Sequence, residues 1–100
     1  MAAKGDVFSD NDSIANGAFQ DAQPAAGGEA TVHLIWYGGA VEIYTDNGTN
    51  ETLIHTPTAA AGYMEWCSFH VTNSEYIAIK NISGGAIRIG YMGIYTHDTT

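Results

Sequence analysis

Val41-Glu42-Ile43-Tyr44-Thr45-Asp46-Asn47-Gly48-Thr49-Asn50-Glu51-Thr52-Leu53-Ile54-His55 is the stretch on which the fold turns. Asn47-Gly48 supplies residues that tolerate positive φ, as tight turns between antiparallel strands require, and β-formers flank it on both sides. The stretch predicts a β-hairpin, with strands at 41–45 and 51–55 around a turn at 46–50.

Outward from the hairpin the same period of two recurs. Upstream, Glu29 to Tyr37 alternates Val32, Leu34 and Trp36 with His33, Ile35 and Tyr37, predicting a strand apolar on one face and mixed on the other. Gly38-Gly39 ends it. Downstream, a loop from Thr56 to Gly62 contains Pro57, and Tyr63 to Val71 then sets Tyr63, Glu65, Cys67, Phe69 and Val71 against Met64, Trp66, Ser68 and His70. Further strands are predicted at Glu75 to Asn81 and Ala86 to Tyr95, divided by a turn at Ser83-Gly84-Gly85. The last of these alternates Ile87, Ile89 and Tyr91 with Arg88, Gly90 and Met92. A first strand is expected from Ser13 to Asp21, with Ile14 and Phe19 in the core. No stretch has the three-to-four spacing of an amphipathic helix.

About seven to eight short strands broken by turn residues predict an all-β fold, an antiparallel β-sandwich of jelly-roll-like or immunoglobulin-like connectivity. Trp36 suits the buried tryptophan of immunoglobulin domains, but Cys67 has no second cysteine to pair with, which favours the jelly roll. The 100 residues suffice for one hydrophobic core. The expected organisation is an N-terminal arm at 1–12, a single sandwich domain at 13–96 and a polar tail at 97–100.

Charge narrows the choice of partners. Lys4, Lys80 and Arg88 stand against eleven acids, for a formal net charge of −8. Such a chain cannot build the basic cluster that releases counterions from a polyphosphate backbone, so neither nucleic acid nor an anionic membrane surface is expected as a partner. No apolar h-region opens the chain and no apolar run approaches 18 residues, so no signal peptide or membrane span is expected. Asn-x-Ser/Thr occurs at Asn11, Asn47, Asn50 and Asn81, and is read as Asn/Thr-rich turns rather than as glycosylation.

No pattern announces catalysis. His33, His55, His70 and His97 are scattered without ligand spacing, Cys67 belongs to no Cys-x-x-Cys pair, and no metal or other cofactor is expected. Asp6, Asp10, Asn11 and Asp12 lack the order of a calcium loop. Glu42, Glu51 and Glu65 lie on strands, and nothing selects a pair of them for glycoside hydrolysis. The glycine pairs precede no helix and read as turns. The expectation is a non-enzyme with no catalytic residue. The aromatic residues instead suggest binding, because rigid rings give contact area at low entropic cost. Trp36, Tyr37 and Trp66, with Val7 and Phe8 in the arm, are the interface candidates.

Three stretches carry a resemblance: Gly5-Asp6-Val7 with Asp12-Ser13-Ile14-Ala15-Asn16-Gly17, Asp46 to Ile54, and Tyr76 to Gly93. Together they resemble small structural proteins of tailed bacteriophages that decorate or cement the head. The resemblance implies a β-sandwich, often trimeric, made in the host cytoplasm and seated on the outer capsid surface, where it clamps and stabilises the major capsid protein shell. It fixes no functional residue by position. The competing expectation is a carbohydrate- or receptor-binding module of a phage fibre or adhesin, stacking a glycan on Trp36 or Trp66.

Overall fold

The Asn47-Gly48 turn forms as its sequence predicts. Asn47 Oδ1 accepts hydrogen bonds from the backbone N–H of Thr49 and Asn50 at 3.0 and 2.7 Å, and Gly48 takes a φ of +86°. The computed structural model describes residues 3–57 and 63–97, of which 63–66 are described as backbone only. The expected loop at 56–62 therefore falls largely outside the described residues, as do positions 98–100 of the expected tail.

Eight strands make up the described fold: β1 (Val7–Ile14), β2 (Phe19–Ala22), β3 (Glu29–Tyr37), β4 (Val41–Asp46), β5 (Glu51–His55), β6 (Tyr63–Thr72), β7 (Tyr76–Asn81) and β8 (Ile87–His97). They form two antiparallel four-stranded sheets, ordered β1-β8-β3-β6 and β2-β7-β4-β5. Strand pairs β1·β8, β2·β7, β3·β6 and β4·β5 are nested, as in one long ribbon folded at the β4–β5 turn and rolled up. That is jelly-roll rather than immunoglobulin-like connectivity.

The core lies between the sheets. Val32, Ile35, Tyr37 and Ile89 of the first sheet meet Val41, Ile43, Ile77 and Ile79 of the second, all of them buried. Along β4, Val41 and Ile43 point inward and Glu42 and Tyr44 outward, as sheet-on-sheet packing requires.

Three expectations are corrected. The segment read as an arm is part of the sandwich: Val7 to Ile14 pairs with β8 along its whole length. Second, Ser13 to Asp21 is not one strand. Gly17, at φ +85°, turns the chain from β1 in one sheet to β2 in the other, and the backbone N–H of Ala18 bonds back to Ala15 O at 3.0 Å. Third, the faces of β3 are not those of a simple alternation. A bulge between Val32 and Leu34, at His33, shifts the register against both β6 and β8. The extra residue carries Ile35 and Tyr37 inward beside Val32 and leaves Leu34 and Trp36 facing out.

Candidate interaction faces

The outward side of the β1-β8-β3-β6 sheet is built by alternation. β1 sends Val7, Ser9, Asn11 and Ser13 outward and directs Phe8, Asp10 and Asp12 toward the opposite side, so its two acids avoid the outer face. On β8 the outward residues are Arg88, Gly90, Met92 and Ile94. Thr31, Leu34 and Trp36 continue the surface on β3, with Ser68 and His70 on β6.

Pairing register arranges these residues in rows across the strands. Val7, Ile94, Thr31 and His70 make one row, Ser9, Met92 and Leu34 the next, and Asn11, Gly90 and Trp36 a third. Val7, Met92 and Ile94 are 63%, 45% and 42% exposed, a contiguous apolar strip that the core does not use. Trp36 lies across Gly90: a Cβ at position 90 would fall on its indole, so the glycine provides the floor for the ring. Among the described outward residues of this sheet the charged groups sit at the two ends. Arg88 lies at one end, and Glu29, whose Oε1 is 3.0 Å from His70 Nε2, lies at the other.

The outward side of the β2-β7-β4-β5 sheet has the opposite character. Asp21, Glu42, Asp46 and Glu51 share it with Phe19, Tyr44 and Tyr76. Tyr44 Oη donates to Glu42 Oε1 at 2.8 Å, and that bond, before any burial, pushes the phenol up. Burial and then the neighbouring Asp46 raise the Asp21 carboxyl above its ordinary value, and burial followed by Asp46 and Asp21 does the same to the Tyr76 phenol. Lys80 Nζ lies 5.9 Å from the centre of the Phe19 ring. The acids are thus concentrated on one face of the sandwich and nearly absent from the other.

The expected interface residues separate on this frame. Val7 and Trp36 belong to the uncharged face. Phe8 does not present itself to a partner: it is buried, its ring 4.9 Å from that of Tyr91 and 5.2 Å from that of Tyr95. Tyr37 is also in the core, 2% exposed, because the bulge at His33 turns it inward. Trp66 stands opposite Leu34 in the β6 register, and its side chain is outside the described residues. Tyr91 is packed inside as well, where burial first and Asp10 second raise its phenol.

Among the described residues no three His, Cys, Asp or Glu side chains converge as metal ligands would. Cys67 is half-buried, its thiol 3.7 Å from Val32 O. A cleft of about 330 Å³ opens beside the hairpin turn and is lined by Asp46, Asn47, Asn50, Thr52, Glu75 and Tyr76 among others. Trp36 does not line it. Among the described residues, no helix is long and apolar enough to cross a membrane.

Asn81 is the residue that sequence reasoning missed. Fully buried at the end of β7, it donates from Nδ2 to Ile14 O at 2.8 Å and Gly85 O at 2.7 Å. Its Oδ1 accepts from Ser83 N at 2.8 Å and Ser83 Oγ at 2.7 Å. One amide thus ties the end of β1, in one sheet, to β7 in the other and to the turn before β8. The Asn-Ile-Ser pattern at this position is therefore a buried hub and not a turn, and Asn11 likewise lies within β1. Asn47, by contrast, is a turn residue as expected. The hub's signal in the sequence is an asparagine that closes a β-run two residues before Ser83-Gly84-Gly85.

No protein-family model matches the chain, and no curated protein does. Among solved structures it is similar to the nucleoplasmin-like N-terminal domain of Drosophila FKBP39, with a TM-score of 0.60 and 13% identity over 98% of this chain and 94% of that one. At that identity the likeness is one of fold.

Proposed function

We propose that this chain is a non-enzymatic structural protein that acts by assembly, a decoration protein that binds the outer surface of a virion's major capsid protein shell and stabilises it. The observation that carries the assembly half is the segregation of charge. In a chain with eleven acids, one whole sheet face exposes Val7, Met92 and Ile94 while acids gather on the opposite face. An apolar face of that kind is stabilised by covering it with protein. The acidic face suits solvent outside a shell better than contact with packaged nucleic acid. The virion half rests on the resemblance of the Asp12 to Gly17, Asp46 to Ile54 and Tyr76 to Gly93 stretches to phage head proteins. Jelly rolls occur in both viral capsid and lectin domains, so the fold alone does not choose between shell and glycan.

The test is to compare particles that carry the protein with particles that lack it, under heat and osmotic shock. Lower resistance without it, restored by adding back the purified chain, is the expected result. Equal resistance, or no binding of the chain to shells, would remove the decoration role. The glycan reading draws on Trp36, half-buried on the uncharged face, and expects its fluorescence to be quenched by added oligosaccharides.

A further inference from the structure

We infer that the outward face of the β1-β8-β3-β6 sheet, apolar along its middle and charged only at its two ends, is covered by a second copy of this chain, packed face to face about a twofold axis that crosses the strands near Met92. This rests on the assembly reading above and names its first partner. The argument begins with the positions of charge. If the axis ran along the strands, the Arg88 end of each copy would lie over the Arg88 end of the other and the Glu29 end over the Glu29 end, like charge beside like charge at both rims. An axis across the strands reverses one copy, so the Arg88 end of each meets the Glu29 and His70 end of the other. Only this arrangement makes both ends complementary, and self-complementarity is what a twofold interface requires.

The rows fit the same axis. On β8 the outward residues Ile94, Met92, Gly90 and Arg88 follow at every second position. Reversal about Met92 places Met92 against its own counterpart and Ile94 of each copy against Trp36 where the indole lies across Gly90 of the other. Arg88 then reaches the level of Glu29 one strand over, within the span of its long side chain. The outward groups of β1, namely Val7, Ser9, Asn11 and Ser13, bring no charge into the contact.

Size sets the strength. Four strands about 4.8 Å apart, with outward residues about 6.8 Å apart along each, give a footprint of roughly 500 Å² per copy. Two copies bury about 1,000 Å², the lower bound for a specific interface, so the pair is reversible and concentration-dependent. Repetition on a shell compensates for such weakness by avidity.

Sedimentation equilibrium of the full chain over a wide concentration range tests the inference. Monomer and dimer in exchange are expected. Met92→Lys, which sets two ammonium groups against each other on the axis, should leave monomer at every concentration reached. Arg88→Glu and Glu29→Arg should each weaken pairing by about tenfold, and the double variant should recover it. Because the charge swap changes only surface residues, it decides the matter even if Met92→Lys fails to fold. A wild-type chain that is monomeric throughout overturns the inference, as does a trimer, or a dimer indifferent to these variants. Shell binding by the wild-type chain separates the two proposals: a wild-type monomer that still binds shells defeats the twofold pair and leaves the decoration role standing.

Discussion

Replacing Asn81 by alanine is the sharpest perturbation this fold offers. The substitution deletes four side-chain hydrogen bonds, two donated to Ile14 O and Gly85 O and two accepted from Ser83. The backbone bonds from Asn81 N to Ala18 O and from Gly17 N to Asn81 O remain. Gly85 and Ser83 are exposed, so water can take over much of their share. The space left by the amide is different, because position 81 is 0% exposed and lies between the sheets. A buried bond lost without replacement costs about 1–3 kcal/mol, and the small cavity adds about 1 kcal/mol, for a total of about 3 kcal/mol. For a domain of this size that lowers Tm by about 12–24 °C. Ser83→Ala is the control, since it removes only the hydroxyl at an exposed site and should cost under about 1 kcal/mol. Asn81→Asp should cost at least as much as alanine, because a carboxylate would face the two carbonyl oxygens that the amide now serves. Thermal melts and urea titrations of the three variants measure this. A loss below about 1 kcal/mol in Asn81→Ala would refute the hub and leave the connection between sheets to the apolar core alone.

Two further outcomes follow from the faces. Burial and Asp46 raise the Asp21 carboxyl, so proton binding favours the folded state: this stability is present below the ordinary carboxylate pKa and is lost as pH rises through the raised value. Asp21→Asn should therefore raise Tm at neutral pH and leave it unchanged in acid, and an equal effect at both would contradict the assignment. Gly90→Ala places a methyl group on the Trp36 indole, so the ring must swing off the face at a cost of about 1–3 kcal/mol. In a Trp66→Phe background the emission should shift to the red, and an unshifted spectrum would show that the ring does not rest on Gly90.

Much of the fold is legible because its signals are local. Asn47-Gly48 fixes its hairpin through its own side chain and backbone, and residues 29–37 match β3 end to end. What was lost is non-local. A bulge at His33 leaves no mark in the alternation of Val32 to Tyr37, since apolar residues occupy both faces, yet it decides that Tyr37 is core and Trp36 is surface. The β1 strand reads as an arm because Val7 to Ile14 contains two acids, Asp10 and Asp12, and Asn11 in place of β-formers. It is held by β8, from the far end of the chain. The candidate face was half legible: Val7 and Trp36 were found, but Met92 and Ile94 join them only through the β1·β8·β3 register.

The nested pairing of the strands also dictates an order of events during folding. Only β4·β5 closes a short loop, whereas the outermost pair must bring Val7 to Ile94. Each pair outward from the hairpin closes a longer stretch of chain, and the entropy of closure is lost before the contacts form. Neither sheet is complete until β7 and β8 arrive, since β8 lies between β1 and β3 and β7 lies between β2 and β4. On a ribosome the chain must therefore hold β1 to β6 unfinished until residue 97 has emerged, with Val32, Ile35, Val41 and Ile43 still uncovered. A net charge of −8 keeps such chains apart during that interval, so the acids of the finished sandwich protect its synthesis as well as its solubility.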